Sequence, residues 1–110
     1  MHCAIEYTQE AAADLEELDH SRQILVLRAI RKVSADPLPQ AKGGYGKPLG
    51  NKRGRDITGL LKIKLKALGI RVVYQLKRER GAMVIVVIAV REDDAVYKMA
   101  DKRLRDGKTQ

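Results

Sequence analysis

The chain has 110 residues, 45% of them hydrophobic and 33% charged, with a single cysteine and a formal net charge of +8. That length suits one ordinary domain, 1–110, with a real core, and the plentiful, patterned aliphatic residues exclude a disordered tail. A lone Cys3 excludes an internal disulfide and a cysteine-rich zinc site, and it suits a reducing cytosol.

The charge is unevenly divided. Residues 1–20 hold six of the 14 acids (Glu6, Glu10, Asp14, Glu16, Glu17, Asp19) and none of the 22 Lys and Arg residues. The rest of the chain therefore sets 22 bases against eight acids. Such a surface attracts a polyanion, nucleic acid being the commonest, although a solvated basic exterior accounts for the excess as well. The start, MHCAIEYTQEAAADLEE, has neither a basic leader nor an apolar run, so no secretory signal is expected. The longest apolar run, AMVIVVIAV at 82–90, is too short to cross a bilayer as a helix and reads as a buried strand. A cytoplasmic protein without membrane segments is the expectation.

CAIEY at 3–7 alternates, with Cys3, Ile5 and Tyr7 on one side, and predicts a short strand. Thr8 has the chemistry of an N-cap for a helix from about Gln9 to Leu18. DHS interrupts, and Asp19 or Ser21 can cap a second helix, RQILVLRAIRKVSAD, in which Ile24, Leu27, Ile30 and Val33 recur at helical spacing. Pro37 and Pro39 stop it, and the Gly-, Pro- and base-rich stretch to Asp56 reads as a long loop. Two strands around a turn near Leu68 and Gly69 follow, then a third at 82–90, then a helix opened by Asp93 or Asp94 and a polar tail from about 106. The order is strand, helix, helix, three strands, helix. This predicts an α+β fold, an antiparallel sheet with a two-helix hairpin on one face and a basic second face left open.

That open face is where the sequence is most unusual. In LLKIKLKALGIRVVYQL, side-chain alternation points Leu61, Ile63 and Leu65 to the helices and Lys62, Lys64 and Lys66 to the other side. With Ala67 and Ile70 flanking a two-residue turn, Lys66 would face Arg71 and Lys64 would face Val73. Like charges on neighbouring strands cost roughly a few tenths of a kcal/mol per pair or more, a cost that a bound polyphosphate offsets. An ordinary lysine-rich solvent face is the plainer account. Arg91, leaving the sheet after the apolar run, and Tyr97, six residues later in an early helical turn, can face the same surface.

The hairpin LLKIKLKALGIRVVYQL, the ending VIAVREDDAVYKMADKRL and the helical hairpin before a GKPL loop together resemble the RelE/ParE superfamily of toxins from toxin–antitoxin pairs, and within it the RelE branch. The resemblance covers nearly the whole chain. It implies an endoribonuclease that enters the A site of a translating ribosome, cuts the mRNA there without a metal or other cofactor, and is neutralised by a cognate antitoxin. The catalytic set it implies is two strand lysines, an arginine after the hairpin turn, an arginine closing the last strand and a tyrosine six residues on. Those positions are Lys62, Lys64, Arg71, Arg91 and Tyr97. Ala89 and Val90 stand where many members have a glycine and a further base, and Leu61 where an aromatic residue is common.

The chemistry is coherent in its own terms. RNA carries its own nucleophile, so the enzyme need only deprotonate a 2′-hydroxyl, stabilise the phosphorane and protonate the departing 5′-oxygen. A like charge nearby disfavours the charged form of a lysine, which lets one member of a cationic cluster act as a base. The reading assigns Lys62 with Tyr97 to activating the hydroxyl, Arg71 and Arg91 to holding the phosphate, and Lys64 to protonating the leaving group, with Arg91 as its rival. Lys66 and the loop bases Lys47, Lys52, Arg53 and Arg55 are expected to touch RNA.

Other candidates carry less. His2 and His20 are isolated; Glu92, Asp93 and Asp94 suit a helix start better than a metal; Tyr7 and Tyr74 fall on apolar faces; and Tyr45 is a loop tyrosine able to stack on a nucleotide. Two other functions fit parts of the pattern: a ParE-like toxin that binds gyrase without cleaving RNA, and a non-catalytic nucleic-acid-binding module. Single-strand binders usually interleave aromatic residues for stacking, and four tyrosines with no Phe or Trp disfavour the module.

Overall fold

Five strands form one sheet, in the order β1-β5-β4-β3-β2, in a computed structural model that describes residues 3–38, 43–48 and 60–107. The strands are β1 (Ala4–Tyr7), β2 (Lys47–Pro48), β3 (Leu60–Leu65), β4 (Ile70–Lys77) and β5 (Ala82–Ala89), and the helices α1 (Gln9–Glu17), α2 (His20–Ser34) and α3 (Asp93–Gly107). β3, β4 and β5 form the expected antiparallel meander, and β1 lies parallel to β5. The α+β reading and its order of elements hold, with the two-residue β2 added at the edge. No helix among the described residues is long and apolar enough to cross a membrane.

Local chemistry sets the helix ends. The Thr8 hydroxyl accepts the Ala11 N–H at 3.0 Å, and the Asp19 carboxylate accepts the Arg22 N–H at 2.8 Å, so each satisfies a donor left over in a first helical turn. Asp19, rather than Ser21, caps α2. Gln23 braces the corner by donating to the carbonyls of Leu15 and Leu18. α3 continues through Gly107, past the expected start of the tail.

On one face of the sheet, α1 and α2 cover Leu61, Ile63, Ile70, Val72, Tyr74, Met83, Ile85 and Ile88. The stripe that α2 buries is Val26, Ile30 and Val33, while Ile24 and Leu27 are exposed, contrary to the expected spacing. Apolar residues surround so much of this helix that its own periodicity leaves the rotation open, and contact with the sheet decides it.

The second face is not wholly open. α3 lies over its β4–β5 half, burying Val96, Tyr97 and Ala100 against Leu60, Val73, Val86 and Val87. A β-bulge makes this possible: Val73 pairs with Val87 and Tyr74 with Ile85, so Val86 is the extra residue on β5 and both Val86 and Val87 serve the α3 side. The basic strip that remains uncovered lies on β3 and its neighbours.

Candidate functional site

Period-two alternation places Lys62 and Lys64 on the α3 side of β3 while Leu61 and Ile63 enter the core beneath α1 and α2. The partners across the hairpin differ from expectation. Lys64 stands opposite Arg71 and Lys62 opposite Val73, a shift of two residues. The cause is the connection: a 3-10 turn at Lys66–Leu68 closes on Gly69 at φ 66°, a left-handed conformation natural to glycine, so four residues link the strands instead of two. A shift of two preserves the faces and changes only the neighbours. Lys66 is consequently carried into the turn, exposed, and leaves the ridge.

Arg71 sits between the hairpin and the end of β5. Its cross-strand partner there is Ala89. Its Nη1 donates to the carbonyl oxygen of Arg91 at 2.8 Å, its Nη2 lies 3.9 Å from the Glu92 carboxylate, and its side chain is only 11% exposed. The guanidinium thus ties β4 to the junction that presents Arg91, which is itself exposed after the bend at Val90. The Glu92 carbonyl accepts the N–H groups of Ala95 and Val96, so the same junction starts α3.

Lys47, on β2, pairs with Lys62 and extends the cationic row to the sheet edge. Lys52, Arg53 and Arg55 lie outside the described residues, as does His2. His20 is an exposed first residue of α2. Four of the five expected catalytic positions, Lys62, Lys64, Arg71 and Arg91, are brought to one end of the sheet face. Tyr97 is placed differently: it is 4% exposed and packs in the α3 cluster, because α3 lies down on the sheet instead of standing clear of it.

Two residues that the sequence reading passed over hold this arrangement together. β1 ends opposite Ile85, which leaves the last turn of β5 without a strand at its outer side. Asp14 of α1 accepts the Ile88 N–H at 3.0 Å, and Arg103 of α3 donates to the Val86 carbonyl at 2.8 Å. The two side chains meet through a fork of bonds at 2.7 and 3.1 Å, each 16% exposed, with Glu10 3.6 Å from Arg103. The bond to Asp14 stabilises the charged guanidinium and raises the Arg103 pKa. A usable signal existed: Asp14 lies three residues after Ala11 and four before Leu18, next to the apolar side of α1.

No family model matches the chain. It is 29% identical over 106 residues to an Escherichia coli protein named as RelE-like toxin, covering 96% of this chain and all of the relative. Among solved structures, it superposes on a mutant of E. coli toxin RelE in the free state with a TM-score of 0.72 at 24% identity, over 94% of this chain and 98% of the other. It also matches the intact E. coli RelBE toxin–antitoxin complex (TM-score 0.62, 22% identity, 84% of this chain, 99% of that one). A toxin–antitoxin complex from Mycobacterium tuberculosis is similar as well (TM-score 0.64, 24% identity, 83% and 100%). The chain is thus similar in sequence to a RelE-like toxin over nearly its whole length, and its described residues share the fold of the solved RelE structures.

Proposed function

We propose that this protein is the toxin of a toxin–antitoxin pair and a ribosome-dependent endoribonuclease that cuts mRNA in the A site. The observation that carries the reading is the pairing of Lys64 with Arg71 on the uncovered part of the sheet, with Lys62 beside them and Arg71 fastened to the Arg91 junction. Four cationic residues lie at this end of the sheet, and a phosphodiester is the group that rewards such a cluster. A purely protein-binding toxin has no need of that set.

In this mechanism the substrate's own 2′-hydroxyl attacks the adjacent phosphorus and forms a 2′,3′-cyclic phosphate while the 5′-oxygen departs. Lys62 takes the proton from the nucleophile, and Lys64 supplies one to the leaving oxygen. Arg91, which is exposed, grips the phosphate through a planar fork of donors, and Arg71 fixes the backbone from which Arg91 reaches. Tyr97 supports the site from beneath, on the wall formed by α3. The antitoxin is a partner whose acidic segments meet the same cationic strip.

Primer extension on a defined mRNA programmed into ribosomes with an empty A site tests this, beside a ribosome-free control. A cut confined to the A-site codon, and only with ribosomes, is the expected result. Folded protein that cuts in neither tube overturns the nuclease reading and leaves the gyrase-directed one to be tried.

A further inference from the structure

The cationic row does not stop at β3. Lys62 is paired with Lys47 at the edge strand β2, and two residues earlier Tyr45 stands at the sheet margin, 51% exposed. The ammonium of Lys32, on α2, lies 5.4 Å from the centre of the Tyr45 ring. One aromatic face is thus occupied by a cation and half of the residue remains open to solvent. Arg28, Arg31 and Lys32, spaced by three and four on successive turns of α2, are all exposed alongside it.

This segment is held firmly. The Tyr45 N–H donates to the Asp36 carbonyl at 2.9 Å and the Gly46 N–H to the Leu38 carbonyl at 3.0 Å. Gly46 is buried so closely that a Cβ there would run into the Tyr74 hydroxyl, which itself donates to the Pro37 carbonyl at 2.8 Å, and into the Leu61 side chain. With Gly46 turned into the core, its neighbours Tyr45 and Lys47 are turned out. The other three tyrosines are partly or wholly buried, which leaves Tyr45 the aromatic surface that a ligand can reach.

We propose that Tyr45, Lys32 and Lys47 form a nucleotide subsite outside the cleavage centre, in which an unpaired RNA base stacks on the Tyr45 ring while Lys47 and Lys32 meet its flanking phosphates. The strip from Arg71 through Lys64, Lys62 and Lys47 to Tyr45 is then a track for one RNA strand around the β2 edge. Stacking gives the track what its lysines lack, a hold on the base rather than on the backbone alone. The inference rests on the reading of this protein as one that engages RNA.

The test is a titration of the wild-type protein with a short oligoadenylate and with an abasic sugar–phosphate oligomer of the same length, following the tyrosine ring protons by NMR. The expected result is an upfield shift of Tyr45 with the oligoadenylate alone. Tyr45→Leu should weaken oligoadenylate binding about tenfold and erase the preference for it over the abasic oligomer. Lys32→Gln should flatten the salt dependence while keeping the preference. No Tyr45 shift, or unchanged discrimination in Tyr45→Leu, overturns the subsite. Wild-type protein that shifts at Tyr45 but leaves ribosome-bound mRNA uncut supports the subsite and overturns the nuclease reading. Wild-type protein that cuts without that shift overturns the subsite alone.

Discussion

Arg71 donates its Nη1 hydrogen to the main-chain carbonyl of Arg91, 20 positions further along the chain, at 2.8 Å. One arginine therefore orients the backbone of another. The two differ in exposure accordingly: the Arg71 side chain is 11% exposed, with Nη1 hydrogen-bonded and Nη2 3.9 Å from the Glu92 carboxylate, whereas Arg91 is exposed to solvent. Replacing Arg91 by Ala should abolish most cleavage, by roughly a hundredfold or more, while unfolding free energy stays within about 0.5 kcal/mol. Ribosomal primer extension beside thermal unfolding checks both halves. Arg71→Lys keeps the charge but loses the planar fork, so it should lower cleavage and also loosen the start of α3, seen as faster amide exchange at Ala95 and Val96.

Lys62 and Lys64 are predicted to be needed for cleavage, and Lys64 to hold its place at a cost in stability. Lys64 faces Arg71 across the hairpin, and removing it relieves like-charge repulsion. Lys62→Ala and Lys64→Ala should each lose roughly 10²–10⁴ in single-turnover cleavage. Lys64→Ala should be as stable as the parent or more stable by a few tenths of a kcal/mol, read from urea unfolding. A variant that loses activity by unfolding would contradict this.

The pair Asp14–Arg103 predicts the opposite pattern. Its side chains are largely buried, and each also satisfies a backbone group of β5 at the bulge. Asp14→Ala or Arg103→Ala should cost roughly 3 kcal/mol, because the first strips Arg103 of its closest countercharge and leaves the Ile88 N–H unmatched, and the second leaves the Asp14 carboxylate without a countercharge and the Val86 carbonyl unmatched. The double variant should lose less than the sum of the two, and a double-mutant cycle in denaturant measures that coupling.

Stability should fall in alkali. Burial pushes the Tyr74 hydroxyl well above the ordinary tyrosine range, with smaller contributions from Cys3 and Asp36, and burial raises Tyr7 in the same direction. With both folded values raised, the stabilisation is complete below the unfolded tyrosine value of about 10 and is lost as pH climbs past it, since only the unfolded chain then releases these protons. Unfolding free energy measured across this window should decline. Tyr74→Phe should reduce the slope while costing roughly 1 kcal/mol at neutral pH for the lost bond to Pro37.

Much of the architecture follows from short-range pattern. Alternation alone puts Lys62 and Lys64 on one side of β3 and Leu61 and Ile63 on the other, and Thr8 and Asp19 mark helix starts through the reach of their own oxygens. These properties belong to the local chain and survive in any packing. The neighbours of those residues do not. That Arg71 meets Lys64 instead of Lys66 depended on a 3-10 turn ending at Gly69, and the burial of Tyr97 depended on α3 lying over a bulge at Val86. Rotation of α2 was likewise settled by the sheet, because its apolar residues surround too much of the helix to choose a face. The bond between Asp14 and Arg103 joins positions 89 residues apart, a separation at which periodicity carries no information. Faces are set by the backbone's own repeat, whereas pairing, layering and the buried polar links arise only when distant segments must share one core and match its polar groups.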